Sequence, residues 1–154
     1  MRLTDYLDSQ LIMLDLQAAS KIEALALITA RLAEKKLIDD ADEFLADVHK
    51  RERQGCTAIG RGIAIPHSRS KTLKRIAVAI ARLRSGVDFG AEDGTPVRLV
   101  FLLGTPEEKA GEYLKVLGRL SKLLRENGLR EKLLEAIDQA DVLELLEKAE
   151  NELL

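Results

Sequence analysis

The chain has 154 residues, of which 46% are hydrophobic and only 3% aromatic, and it carries a net charge of −2 at neutral pH. This size and composition predict one domain, residues 1–154, with a core of aliphatic side chains. No apolar run approaches the ~20 residues that a membrane-spanning helix needs, and the single cysteine excludes an internal disulfide or a cysteine-rich metal site. No secretory signal pattern opens the chain, so we expect a cytoplasmic protein without membrane insertion, metal or cofactor.

Two helices are predicted in the first third of the chain. Ser20 and Glu23 have capping-box spacing, and the apolar stripe that follows them predicts a helix from Ser20 to about Lys36. A second helix follows Asp40 and ends before Gly55.

Short apolar and β-branched segments bounded by turn residues predict the strands. They cover residues 11–14, 57–59, 63–65, 76–83 and 97–103. The tetrapeptide from Thr105 to Glu108 contains an N-cap, a first-turn proline and a capping-box glutamate, and it predicts a helix that runs to about Arg125. Two further helices are expected over about 129–137 and 140–150. Interleaved helices and strands favour an α/β fold with a mixed sheet covered by helices.

The middle of the chain is strongly basic. Between Lys50 and Arg84 there are ten basic residues and a single acid, Glu52. The block alternates with apolar strand residues and has no aromatic platform on which bases could stack, so nucleic-acid binding is not expected. The block can be a solvated face, or it can create a local positive field around an anionic group.

Of the two histidines, His67 is the candidate functional group. It closes the apolar segment 62–67 directly after Pro66, and polar residues follow it at once, which places the ring at the edge of a sheet. Neutral imidazole is a nucleophile near pH 7 and forms a phosphorus–nitrogen bond that can be passed on. Arg51, Thr57 and amides near Ser68 can supply the charge and hydrogen bonds that phosphoryl transfer needs. On these residues alone, a structural role for the histidine is the more common interpretation.

The longer segment from Arg51 to His67 favours a functional role for the histidine. It reads Arg-Glu-Arg-Gln-Gly-Cys-Thr-Ala-Ile-Gly-Arg-Gly-Ile-Ala-Ile-Pro-His. It resembles the signature of the mannitol/fructose-type (type 2) enzyme IIA domains of the bacterial phosphotransferase system, and within them most closely the nitrogen-regulatory branch. The likeness continues through the whole chain. It implies a mixed β-sheet sandwiched between helices.

The resemblance also implies roles for individual residues. His67 corresponds to the histidine that is phosphorylated on Nε2, with its other ring nitrogen held by a hydrogen bond, and Arg51 corresponds to its charge partner. Thr57 matches a hydroxyl position near the site. The implied donor is the small carrier protein HPr or a relative.

The chain departs from the family pattern at two positions. Tyr113 stands where many relatives have a second histidine, and it can either donate its hydroxyl to a phosphoryl oxygen or simply pack. Ser68 replaces a frequent glycine and keeps the backbone amide. Both changes bear on the rate of transfer more than on phosphorylation itself.

Three functions remain open at this stage. The first is a regulatory, nitrogen-type phosphocarrier, since the chain ends without a fused sugar-specific or membrane segment. The second is an enzyme IIA subunit that passes phosphate to a sugar-specific IIB component. The third is a binding module of the same fold that is not phosphorylated.

Overall fold

The chain forms a six-stranded mixed sheet with helices on both faces, in a computed structural model that describes residues 2–126 and 128–153. The strands are β1 Ile12–Leu16, β2 Ala58–Gly60, β3 Ile63–Ala64, β4 His67–Arg69, β5 Ala77–Val87 and β6 Val97–Thr105. The α-helices are α1 Lys21–Glu34, α2 Ala41–Glu52, α3 Ala110–Leu124, α4 Leu129–Glu135 and α5 Gln139–Leu153. Two short 3-10 turns, Leu3–Tyr6 and Ser9–Leu11, precede β1.

The strand order is β1-β5-β6-β3-β2, and β4 also pairs with β6. β5 and β6 run antiparallel in the middle of the sheet, whereas β1 is parallel to β5, and both β3 and β4 are parallel to β6. β3 and β4 therefore follow one another along the same edge of β6. As a result, the residues that follow β3 lie beside the C-terminal end of β6, shortly before α3 begins.

The alternation of side chains along the strands divides the core into two layers. On β5, Ala77 and Ala79 face a cluster that includes Leu25 and Phe44 of α1 and α2, whereas Val78 and Ile80 face the cluster beneath α3, α4 and α5. Successive strand residues point to opposite faces of a sheet, so a nearly continuous apolar strand fills both layers. The predicted architecture, a mixed sheet sandwiched between helices, is confirmed.

Local signals placed the first two helices correctly. Ser20 is the N-cap of α1, and its hydroxyl accepts a hydrogen bond of 3.1 Å from the amide of Glu23. Asp40 caps α2 in the same way, through the amide of Glu43 at 3.0 Å. These bonds satisfy amides at the first turn that have no partner inside the helix.

The predicted helix start at Thr105 is wrong. Thr105 is the last residue of β6 and lies opposite Arg69 of β4, and its carbonyl accepts the amide hydrogen of Ser70 at 2.8 Å. The α3 helix begins only at Ala110, after a turn in which the amide of Lys109 bonds to the carbonyl of Pro106 at 3.1 Å. Pairing with β4, which is distant in sequence from β6, thus outweighs a strong local capping signal.

Within the part of the chain that the structure describes, no helix combines the length and the apolar composition needed to cross a membrane.

Candidate functional site

His67 is the first residue of β4, on the edge of the sheet. The apolar segment 62–67 was expected to end as a strand at His67, but pairing stops after β3, and a separate strand, β4, begins at His67 beyond Pro66. Proline has no amide hydrogen and cannot donate to the neighbouring strand, yet its carbonyl accepts from Leu103 at 2.9 Å. Pairing resumes at once, with His67 opposite Leu103. Among the described strands β4 pairs with β6 alone, so the predicted edge position is confirmed.

The ring of His67 is held in one orientation by its own chain. Nδ1 lies 2.7 Å from the carbonyl oxygen of Ile65. A carbonyl can only accept, so Nδ1 must carry the hydrogen, and in the neutral ring the free lone pair is then on Nε2. Burial lowers the pKa of His67 below its ordinary value of 6.5, and the hydrogen bond to the Ile65 carbonyl raises it in part. The charge of Arg51 lowers this pKa further, against a smaller opposing effect of Glu52. The ring is therefore neutral and nucleophilic at neutral pH.

A cleft opens over the ring. It encloses about 480 Å³, and His67, although only 8% exposed, forms part of its wall. Three cationic and two anionic side chains share the lining with polar ones. The full lining is Asp47, Lys50, Arg51, Gln54, His67, Ser68, Arg69, Glu107 and Tyr113.

The α2 helix forms one wall of this cleft. Asp47, Lys50 and Arg51 follow the spacing i, i+3 and i+4, which places them on one helical face, and Gln54 lies just beyond the end of the helix. Nη1 of Arg51 donates to the carbonyl of Gly55 at 3.0 Å, just beyond the helix end. This bond uses one of the five N–H donors of the guanidinium and leaves the others for an anion.

Tyr113, in the first turn of α3, stands beside the histidine. The two ring centroids are 5.8 Å apart, with an angle of 50° between the ring planes. The guanidinium carbon of Arg69 lies 6.0 Å from the centroid of the tyrosine ring. Burial raises the pKa of Tyr113, and the charges of Arg51 and Arg69 lower it in part. The tyrosine thus links the histidine to a second arginine.

Four of the five site residues expected from the sequence meet at the cleft: His67, Arg51, Ser68 and Tyr113. Thr57 is not among the lining residues. It is buried, and its hydroxyl donates to Oε1 of Glu52, whose other carboxylate oxygen is 2.6 Å from Nζ of Lys21. The Thr57 carbonyl also accepts the amide hydrogen of Ile65 at 3.0 Å, so this residue supports the segment that orients the histidine.

Sequence reasoning did not single out Lys50, Arg69, Asp47, Gln54 or Glu107 as site residues. The sequence nevertheless contains two patterns that point to some of these residues. Arg69 lies two positions after His67, so in an extended strand both side chains lie on the same side. The helical spacing of Asp47, Lys50 and Arg51 predicts that these three side chains lie on one face of the helix. The sequence contains no such pattern for Glu107. The predicted helix included this residue, whereas α3 begins only at Ala110.

Within residues 2–126 and 128–153, no group of three or more His, Cys, Asp or Glu side chains is arranged to hold a metal ion. The chemistry that this cleft can support with its own residues is nucleophilic attack by a neutral imidazole on an anionic, electrophilic group held by cations.

Comparison with known proteins agrees with the fold and the motif. Residues 5–149 match the family described as "Phosphoenolpyruvate-dependent sugar phosphotransferase system, EIIA 2". A nitrogen regulatory protein of Bradyrhizobium diazoefficiens is 39% identical over 134 residues, which are 86% of each chain. The fructose-specific EIIABC component of Bacillus subtilis is 31% identical over 146 residues, and there the match spans 95% of this chain but only 23% of the longer relative.

Two solved structures are similar over almost their whole length. Nitrogen regulatory protein IIA-Ntr from Neisseria meningitidis has a TM-score of 0.87 and 32% identity, covering 94% of this chain and 98% of that one. Enzyme IIAMTL from Escherichia coli, in complex with phosphorylated enzyme IIBMTL, has a TM-score of 0.78 and 25% identity, covering 92% of this chain and 97% of the other. The family resemblance inferred from the segment 51–67 is confirmed, and so is the particular similarity to the nitrogen-regulatory branch.

Proposed function

This chain belongs to the EIIA 2 family of the phosphoenolpyruvate-dependent sugar phosphotransferase system, and on that premise we propose that it carries a phosphoryl group on Nε2 of His67, received from an HPr-type protein. Members of the family are phosphotransferase components. The observation that carries the proposal is the contact of 2.7 Å between Nδ1 of His67 and the Ile65 carbonyl, which leaves the free lone pair on Nε2 of a ring that lines the cleft. The phosphohistidine and its donor are our inference.

The proposed transfer requires no cofactor. The lone pair of Nε2 attacks phosphorus, and the bond between phosphorus and the donor atom breaks with its electron pair returning to the donor. The His67 ring keeps its Nδ1 hydrogen and becomes positively charged, and the Ile65 carbonyl stabilises that N–H. A charged ring is a good leaving group, so the same bond can break again when an acceptor attacks the phosphorus.

The neighbouring groups have proposed roles that follow from their positions. Arg51 is the charge partner of the phosphoryl oxygens, and Ser68 is a polar neighbour of the ring in the cleft wall. The pairing of β4 with β6 directs the Ser68 amide to the Leu103 carbonyl, so the expected amide contact to the phosphoryl group is not part of the proposal. Tyr113 can donate its hydroxyl to a phosphoryl oxygen. Thr57 acts from behind the cleft, through Glu52 and the backbone of Ile65.

We propose a regulatory, nitrogen-type function for this carrier. Support comes from the nitrogen regulatory relative, which is 39% identical over 134 residues, and from the IIA-Ntr structure with a TM-score of 0.87. A phosphoryl group adds about −1.5 to −2 charges at neutral pH, which is enough to change which proteins the cationic cleft binds. The acceptor would then be a regulated protein. The lone thiol of Cys56 suits a cytoplasmic location, where thiols stay reduced.

The alternative is an enzyme IIA that hands the phosphoryl group to a IIB component. The similarity to a fructose-specific EIIABC component and to a IIA chain bound to phosphorylated IIB favours it. A module that binds partners without being phosphorylated is less favoured, because the His67 ring is oriented and the cleft around it is cationic.

The proposal is tested by incubating the protein with phosphoenolpyruvate, enzyme I and HPr. We expect an acid-labile phosphate in the wild type and none in His67→Gln, whereas His49→Gln, which alters the other histidine outside the cleft, should incorporate it fully. Full incorporation into His67→Gln would overturn the assignment. No incorporation into the wild type would favour the module that is not phosphorylated.

A second measurement separates the two carriers. The phosphorylated protein is mixed with IIB domains of the fructose and mannitol systems, and loss of phosphate from His67 is followed over time. A regulatory carrier should keep its phosphate, whereas rapid transfer to a IIB domain would identify a sugar-transport subunit.

A further inference from the structure

The proposed function uses one arginine of the cleft, but the structure places a second one there. Arg69 follows His67 by two residues in β4, so both side chains lie on the same side of the strand. The guanidinium of Arg69 is 6.0 Å from the ring centroid of Tyr113, and that ring is 5.8 Å from the ring of His67. The three side chains form one connected group along the cleft wall.

We propose that Arg69 is a second cation that contacts the phosphoryl group on His67, and that the aromatic ring of Tyr113 holds its guanidinium in place over the cleft. This inference rests on the proposed function, since it concerns the phosphorylated form of the same histidine. Arg69 touches the phosphoryl group, whereas Tyr113 is a positioning residue that acts through Arg69 by means of its ring.

The charge of the cleft explains why a second arginine is needed. Lys50, Arg51 and Arg69 face two carboxylates, Asp47 and Glu107, so the lining carries a formal charge of only +1. A phosphoryl group adds about −1.5 to −2 charges. It would be attached to a ring that is only 8% exposed, where water screens charge poorly. When the positive ring that forms on phosphorylation is also counted, the cleft is close to neutral with Arg69 and net negative without it.

Arg69 is better placed than Lys50 to supply that charge. Its backbone is fixed by pairing with Thr105 of β6, and its side chain already rests against an aromatic ring next to the histidine. A planar guanidinium can stack on such a ring and still direct its N–H donors to phosphate oxygens. Lys50 is an exposed side chain on α2, and a lysine ammonium lacks the planar fork of donors that a guanidinium offers to phosphate.

The ring of Tyr113 has a role distinct from that of its hydroxyl. Arginine side chains are flexible, and holding one in advance removes part of the entropic cost of binding an anion. Phe at this position keeps the ring and removes the hydroxyl, whereas Leu removes both. The two substitutions therefore separate stacking from hydrogen bonding.

The test uses chemical phosphorylation of His67 with phosphoramidate, which needs no donor protein. Phosphorus NMR then follows the ionisation of the phosphoryl group with pH. Because a nearby cation favours the dianion, Arg69→Gln should raise the pKa of the phosphoryl group, and Arg69→Lys should largely restore it. The matched control is Lys71→Gln, which removes an exposed cation of the same segment that pairs with Glu43 outside the cleft. It should leave the titration unchanged.

The coupling to Tyr113 is tested in double variants. The effect of Arg69→Gln should persist in Tyr113→Phe and shrink strongly in Tyr113→Leu, where the guanidinium is no longer held. Transfer from HPr should slow roughly 10-fold in Arg69→Gln, the loss expected for one charged hydrogen bond.

Each outcome bears on the inference. An unchanged phosphoryl titration in Arg69→Gln would overturn it, as would a failure of phosphoramidate to modify His67 at all. Equal losses in Tyr113→Phe and Tyr113→Leu would assign the effect to the hydroxyl and overturn the role of the ring. If phosphoramidate modifies His67 and Arg69→Gln shifts the titration, but HPr does not phosphorylate the protein, the inference stands and the proposed donor is wrong.

Discussion

Nδ1 of His67 lies 2.7 Å from the carbonyl oxygen of Ile65, only two residues earlier in the chain. The two residues flank Pro66, whose fixed φ helps to bring the ring back against the carbonyl. The tautomer of the histidine is thus set by its own segment and does not depend on a side chain from elsewhere in the fold. Substitutions in the rest of the cleft should change the rate of phosphoryl transfer without changing which nitrogen reacts.

Loss of the Arg51 guanidinium should slow phosphoryl transfer. In Arg51→Gln we expect the rate of phosphorylation by HPr to fall about 100-fold, because a charged donor to the phosphoryl oxygens is removed. Arg53→Gln is the matched control, since Arg53 is exposed two residues along and lines a different groove, with His49. Rapid-quench kinetics on both variants measure the effect. Equal rates in the two variants would remove Arg51 from the site.

The lowered pKa of His67 predicts a dependence of stability on pH. In the unfolded chain this ring titrates near 6.5, whereas in the folded protein burial keeps it neutral to lower pH. Below about 6.5 the unfolded state therefore binds more protons, and the free energy of unfolding decreases as the pH falls toward the folded pKa. His67→Gln should lose less stability than the wild type between pH 7 and 5 in urea denaturation. Parallel curves for the two proteins would contradict the lowered pKa.

A buried carboxylate ties the two ends of the chain together. Glu150 of α5 is 1% exposed and accepts from the amides of Leu3 and Thr4, and it lies 3.4 Å from Nη1 of Arg119. Glu150→Ala should lower the free energy of unfolding by about 2 kcal/mol, because buried donors lose their partner. Glu147→Ala, an exposed change on the same helix, should cost little. Urea denaturation of both variants would show whether this contact stabilises the fold.

Replacement by alanine should change the stability of the protein in opposite directions at two glycines. Gly62 has φ +78°, and a Cβ there would lie 2.9 Å from the carbonyl oxygen of Pro96, so Gly62→Ala should cost about 2 kcal/mol or more. Gly118 lies within α3 with nothing within 4 Å of its Cβ position, so Gly118→Ala should stabilise the protein by about 1 kcal/mol. Thermal unfolding compares the two variants with the wild type. A stabilised Gly62→Ala would show that the backbone there is not constrained.

The sequence was most informative where one short segment determines the structure. The cap at Ser20 and the position of His67 at the edge of the sheet depend on residues within a few positions of each, and both were predicted. The start of α3 and the existence of β4 depend on pairing between Thr105 and Arg69, which local patterns do not contain. Tyr113 was located by family resemblance, since nothing in the helical pattern distinguishes it from a packing residue.

The second arginine of the cleft, Arg69, was missed for the same physical reason. Arg69 was treated as part of a polar tail after the histidine because β4 had not been predicted. Once the strand is known, the period of two places Arg69 beside His67. Its contact with Tyr113 depends on where α3 begins, which required the structure.

The position of the phosphate on the imidazole decides whether His67 acts as proposed. The protein is labelled with the isotope nitrogen-15 and phosphorylated by enzyme I and HPr. NMR then reports which ring nitrogen is coupled to phosphorus. We expect phosphorus coupled to Nε2 of His67, with the Nδ1 hydrogen still bonded to the Ile65 carbonyl. Phosphorus on Nδ1, or on any residue other than His67, would contradict it.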